Sequence, residues 1–282
     1  MALALPVLAS GNGFLVTHSI VEARYSGGSP TTLVTTSNFY DGHGNLIRAE
    51  TETDWTEDGI SDAYEVLTQS FDAQQRLILR VNESDLRRGP SQLTRETSEF
   101  TYPNREQQRE VRERDLGGDG SAEQTFITTT TFDHRDNPLV QVVESYGPAG
   151  DAGTNIVTRT YDHRGFPLLE LTDGNVLSWT YDDRNDRVTF GLTDVATGNY
   201  SELVYSMDKH RNLLSTAGSV FDPNVGLNIG ISDEHTYDKH GNLKERIARF
   251  IFPSANGPLE LTEISTYFYA PRGVIVAAAQ AD

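Results

Sequence analysis

The phrase FYDGHGNL at Phe39–Leu46 returns near the other end of the chain as TYDKHGNL at Thr236–Leu243, and paler copies fill the interval. A recurring phrase constrains a fold more than any other sequence feature, because each copy must be one structural unit stacked on the next. Anchored on the aromatic position, the copies fall at Tyr40, Phe71, Tyr102, Phe132, Tyr161, Tyr181, Met207, Tyr237 and Tyr269. The spacing is about thirty residues, with one shortened unit. Each copy runs aromatic, usually Asp, several turn-forming polar residues, then a branched or long apolar residue. Asp can accept backbone N–H groups at a tight reversal, and Gly44-Asn45 or Gly241-Asn242 tolerates positive φ there. The flanks, such as TFITTTTF, NIVTRTY and RLILRV, are rich in Thr, Val, Ile and aromatics, as hairpin arms are.

The motif Tyr-Asp-x-x-Gly-Asn-Leu at this spacing resembles the YD repeat of Rhs-type proteins. The resemblance covers about Phe39 to Ile275; it is strongest at Tyr40-Asp41, Tyr161-Asp162 and Tyr237-Asp238, and weakest at Tyr102-Pro103 and Met207-Asp208. It implies a long sheet of consecutive β-hairpins, which in large members spirals into a shell around a toxin domain. Nine hairpins are few for a shell. The expected fold is therefore all-β, an extended antiparallel array of stacked β-hairpins forming a curled open sheet. Residues 1–24 are read as an apolar segment with a lead-in strand, and residues 25–282 as the continuous array.

A second motif lies in the longer connections. DWTEDGISDAYE fits the twelve-position calcium loop, with Asp54, Thr56 and Asp58 at positions one, three and five and Gly59 at the sharp turn. Ile60 would offer its carbonyl, with Asp62 at nine and Glu65 at twelve. DLGGDGSAE keeps Asp115, Asp119, Gly120 and Glu123 in the same register but places Gly117 at position three, so a weaker site is expected. Calcium is the expected ligand at Asp54–Glu65, and at Asp115–Glu123 the alternatives are calcium and a plain turn. Five histidines, His43, His134, His163, His210 and His240, fall in the turns, where neighbouring cations favour solvated side chains over metal ligands.

With a formal net charge of −18, nucleic acid and anionic membrane surfaces are poor partners, while divalent cations are good ones. The mean hydropathy of −0.47 suits a surface-rich architecture with a thin core. There is no cysteine, and nothing that resembles a membrane span. Hydrolase, zincin and phosphate-loop motifs are missing. FDPNVGLN at Phe221–Asn228 is similar to the Asp-Pro-x-Gly-Leu stretch near the self-cleavage site of Rhs-type proteins, but is one residue too long. The expectation is a non-catalytic, extracellular or cell-surface structural or adhesive protein. An open sheet has two unpaired edges, so its partner would be itself, in a calcium-stabilised filament joined through edges and the apolar termini ALALPVLAS and GVIVAAAQA. The alternatives are an Rhs-like shell fragment, or a surface module binding glycans through residues such as Trp55 and Trp179.

Overall fold

The computed structural model describes residues 14–25, 30–56, 58–87, 92–147, 152–184, 186–208, 212–222, 227–253 and 258–271. Both apolar termini, His210, and the centre of the FDPNVGLN stretch lie outside them. The chain forms β1 (Phe14–Tyr25), β2 (Pro30–Tyr40), β3 (Leu46–Asp54), β4 (Ala63–Phe71), β5 (Leu77–Leu86) and β6 (Gln92–Asn104). It continues through β7 (Gln107–Asp115), β8 (Gln124–Phe132), β9 (Pro138–Tyr146), β10 (Ala152–Tyr161), β11 (Pro167–Leu171) and β12 (Asn175–Asp182). The last third comprises β13 (Arg187–Asp194), β14 (Tyr200–Met207), β15 (Leu213–Asp222), β16 (Leu227–Tyr237), β17 (Leu243–Phe252) and β18 (Leu259–Pro271). Every strand pairs antiparallel with its sequence neighbours, and β1 pairs with β18 from Phe14↔Pro271 to Tyr25↔Leu261.

The result is a closed 18-stranded antiparallel barrel. This overturns the open, curled sheet expected from the repeats. The filament reading falls with it, since it rested on two unpaired edges and a closed ring offers none. Neither the shell fragment nor the glycan-binding module finds support in the ring.

The hairpins explain the closure. In six of them the residue before the aromatic pairs two places beyond the aromatic's own partner: Phe39↔Arg48 but Tyr40↔Leu46, and likewise Thr236↔Glu245 but Tyr237↔Leu243. The same bulge recurs at Phe71, Phe132, Tyr161 and Met207. A bulge bends its strand and increases its twist. Repeated at one end of successive hairpins, it curls the sheet steadily in one direction.

The seam repeats this geometry without a covalent turn. Tyr269 pairs with Val16 while Phe268 pairs with His18, so the register slips at Thr17 as it does at Ile47 and Lys244. Strands β18 and β1 are thus the two arms of a ninth hairpin. Counting β1 as a lead-in hides this partner, which is why the array looked open from sequence.

Cross-strand partners share a face of the sheet, and burial identifies the inner one. Ser98, Phe100, Thr128, Thr130, Ser201, Leu203, Thr216, Asp233, His235, Ala248 and Ser265 are buried, and register places them all on one face. Side chains converge on the concave side of a closed sheet, so this is the lumen wall. Most of these residues are polar. Among the described residues the buried hydrophobic set is only Val16, Phe100, Leu203 and Ala248, far too small to fill a barrel of this size.

Candidate functional site

The turn-bearing mouth is built from the repeated phrase. Asp41 Oδ1 accepts the N–H groups of His43 and Asn45 at 2.8 Å each, and its Oδ2 accepts the Asn45 side-chain amide at 2.8 Å. Asp133–Asn137 and Asp238–Asn242 repeat the lock. Where Asn is replaced, a guanidinium takes over: Arg76 donates to Asp72 Oδ2, and Arg164 to Asp162 Oδ2. Partial burial pushes the Asp162 carboxyl up, but the N–H groups of Phe166 and Arg164 and the Arg164 guanidinium outweigh this and hold it at about 2. His43, His134, His163 and His240 are exposed in these turns.

The nine aromatic positions ring the inner rim just behind the turns. Five of them carry a hydroxyl that joins one hairpin to the one before it. Tyr40 donates to the carbonyl of Val16, Tyr102 to Leu77, Tyr161 to Pro138, Tyr181 to Pro167 and Tyr237 to Leu213, at 2.7–2.9 Å. Each acceptor opens the second arm of the preceding hairpin, and Val16 holds that place at the seam.

Positions lacking the hydroxyl are compensated. Beside Phe71, Gln69 turns its amide to donate to the Leu46 carbonyl at 2.8 Å and accepts from Arg80 Nε at 3.3 Å. Phe132 and Met207 follow the two irregular turns, and there a backbone bond makes the link: Phe132 N–H to the Glu106 carbonyl and Met207 N–H to the Asp186 carbonyl.

The opposite mouth carries the long acidic loops. Asp54 Oδ1 accepts the Thr56 N–H and its Oδ2 the Gly59 N–H, both at 2.9 Å, while Asp62 Oδ2 accepts the Trp55 N–H at 2.8 Å. Asp58 folds onto the Ile60 N–H. The second loop matches it: Asp115 accepts from Gly117, Gly118 and Gly120, Asp119 from Ser121, and Glu123 from Leu116. Gly59 and Gly120 hold φ of 80° and 88° at equivalent corners. Asp115, Asp119 and Glu123 each bring a carboxylate oxygen within 4.8 Å of the others, the one such cluster among the described residues. Ile60 is 67% exposed at its loop tip. Glu65 is not part of its loop: it lies within β4 on the lumen face, where its Oε1 accepts the Asn82 amide at 2.7 Å. The fuller motif in sequence is therefore not the loop that gathers three carboxylates.

Between the mouths, the wall carries charges that sequence reading passed over. Arg246 Nε lies 2.8 Å from Asp233 Oδ2, and His235 Nε2 lies 3.8 Å from Asp233 Oδ1. Burial holds the His235 imidazole below its usual pKa, against the pull of Asp233. Arg159–Glu170 and Arg114–Glu96 are further inward pairs, at 2.6 and 2.5 Å. Their signal in sequence is the alternation within each strand, which assigns a face only once the ring is closed. Trp179 faces inward and packs on Phe190 at 5.4 Å, while Trp55 is 40% exposed in its loop.

The outer face is uneven. Arg48–Glu50, Arg95–Glu83 and Arg249–Glu234 pair across the outside of β2–β7 and β16–β18. From β8 to β13 the outward positions are largely Thr, Val, Ile and Leu, among them Ile127, Val142, Ile156 and Leu171.

These features define a hollow meander barrel with a polar wall and two chemically distinct mouths. No protein-family model and no curated protein matches the sequence. Among solved structures, one described as the crystal structure of a porin-like protein from Bacteroides uniformis is similar over 90% of this chain and 98% of its own, at 8% identity and a TM-score of 0.49. A likeness of that degree adds nothing to what the strand pairing itself establishes. Among the described residues no helix is long and apolar enough to cross a membrane, which says nothing of a barrel crossing with strands.

Proposed function

We propose that the protein is a non-catalytic, pore-type barrel whose water-filled lumen admits small hydrophilic solutes. The observation that carries this reading is the set of buried lumen residues, mostly hydroxyls and ion pairs where a packed protein would place its apolar core, interrupted by an apolar stretch at Leu177, Trp179, Phe190, Leu192 and Leu203. Eighteen strands about 4.8 Å apart and tilted by roughly 40° close a circle about 35 Å across at the backbone. Inward side chains reduce this to an opening on the order of 20 Å, the regime in which barrels hold an aqueous channel. Calcium at the acidic loops, at the millimolar levels outside cells, belongs to the same proposal, as does a location at or beyond the cell surface.

The outer face favours an aqueous setting for most of the wall. An outward Arg near a bilayer midplane costs roughly 2–4 kcal/mol, and Arg48, Arg95, Arg109 and Arg249 all point outward. The arc from β8 to β13, whose outward charges are Glu144 in mid-strand and Asp182 and Arg187 at strand ends, favours a second reading, in which that arc lies against a bilayer and the barrel is a membrane channel. Small-angle scattering of detergent-free protein tests the first reading: a hollow-cylinder profile is expected, and a solid ellipsoid would overturn it. Stepwise conductance in planar bilayers, together with a need for detergent, would select the membrane channel.

A further inference from the structure

The repeat breaks at its third copy, and the break leaves a hollow. Instead of the five-residue Asp turn, the chain runs Tyr102-Pro103-Asn104-Arg105-Glu106-Gln107, with Asn104 pairing Gln107 around a two-residue tip. Strand β6 runs two residues past the aromatic, through a register shift between Thr101 and Asn104, where regular turns fold over at once. Between this tip and the neighbouring turns at Arg76 and Asp136 lies a cavity of about 570 Å³ at the inner rim. That volume suits a small organic molecule.

Its walls are chemically complementary to one kind of ligand. Tyr102 is fixed by donating to the Leu77 carbonyl and carries the Arg76 guanidinium over its ring at 4.5 Å, itself 2.7 Å from Asp72. Phe132 donates its backbone N–H to the Glu106 carbonyl at 2.8 Å, which ties its strand to the tip. Arg105 is exposed at the tip and makes no ion pair among the described residues. Asp136 lines the cavity from a corner with φ of 64°, a left-handed conformation unusual for a side-chain-bearing residue. A guanidinium, a carboxylate and two aromatic rings thus share one small space.

We infer that this hollow binds a small aromatic zwitterion, such as a free aromatic amino acid. The carboxylate meets Arg105, whose planar fork matches it. The ammonium meets Asp136, and the ring packs against Phe132 and Tyr102. Dianions are disfavoured by Asp136, and purely cationic amines by Arg76 and Arg105. The inference does not depend on the lumen conducting solutes.

Isothermal titration of the full chain with phenylalanine, benzoate and phenethylamine tests it. Saturable binding of phenylalanine is expected, with benzoate and phenethylamine each at least tenfold weaker. Arg105→Ala should weaken phenylalanine at least tenfold while leaving the far-UV spectrum unchanged, and Asp136→Asn should bring phenylalanine down to the level of benzoate. Absence of saturable binding at millimolar phenylalanine, equal affinity for all three compounds, or unchanged affinity in Arg105→Ala would each overturn the assignment.

Discussion

A hydroxyl at the aromatic position matters only where a carbonyl awaits it. Tyr237→Phe leaves the Leu213 carbonyl half-buried without its donor and should cost about 1 kcal/mol, read as a lowered denaturation midpoint at unchanged slope. Phe71→Tyr should gain nothing, because Gln69 already occupies the Leu46 carbonyl. Gln69→Leu alone should destabilise, and adding Phe71→Tyr should recover the loss. A double variant no better than Gln69→Leu would refute the substitution logic. The turn carboxylates make a separate prediction about acid. Asp162 lies at about 2 in the folded chain against an ordinary 3.8, and Asp41, Asp72, Asp133 and Asp238 are lowered too. The folded state therefore binds fewer protons than the unfolded state in this range. The stability these groups confer is fully present above about pH 4 and is lost as pH falls towards 2. Melting temperature should decline across that window, less steeply in Asp162→Asn. Tyr269 runs the other way: burial, with neighbouring tyrosines and Asp238, pushes its pKa up to about 12. Its contribution is present below about pH 10 and disappears as pH rises through 12, so its ionisation at 295 nm should coincide with alkaline unfolding.

Among the elements, the hairpins were legible in the sequence and the loops only partly so. The Asp turns could be read because their whole hydrogen-bond set lies within five residues, as in Asp238–Asn242. Glu65 could not be placed by spacing, because β4 begins at Ala63 and turns its side chain into the lumen. In the calcium loop pattern the twelfth position is a helical residue facing the ion; here the strand alternates instead. The consequence can be measured. If the second loop holds calcium, a hundredfold excess over Kd stabilises the fold by about 2.7 kcal/mol. Glu123→Gln and Asp119→Asn should remove most of the calcium-dependent rise in melting temperature, whereas Glu65→Gln should leave it intact. Loss of the rise in Glu65→Gln would show that the strand residue is a ligand after all.

At the scale of the whole molecule, closure was the least legible property, because it depends on one pairing of the longest sequence separation. Nothing near Phe14–Tyr25 spells the repeated phrase, yet Val16 accepts from Tyr40 as Leu213 does from Tyr237. Only the pairing of β1 with β18 shows that this strand is an arm of a hairpin. The ring is therefore indifferent to where the chain starts. A circular permutant with an Asp-x-x-Gly-Asn turn joining Pro271 to Phe14, and new ends opened between Asp41 and Asn45, should keep the β-sheet spectrum and scattering profile of the parent. An aggregated or expanded permutant would show that the seam is not equivalent to the other hairpins. The seam also has a mechanical meaning. Phe14 and Pro271 stand side by side at the same mouth, so tension applied through them separates β1 from β18 like a zipper, one backbone bond after another. The other hairpins stay closed until that ladder has parted. Drawn from its ends, the barrel has a single slit line along which it can unroll under low force, while pressure from any other direction meets a continuous hoop.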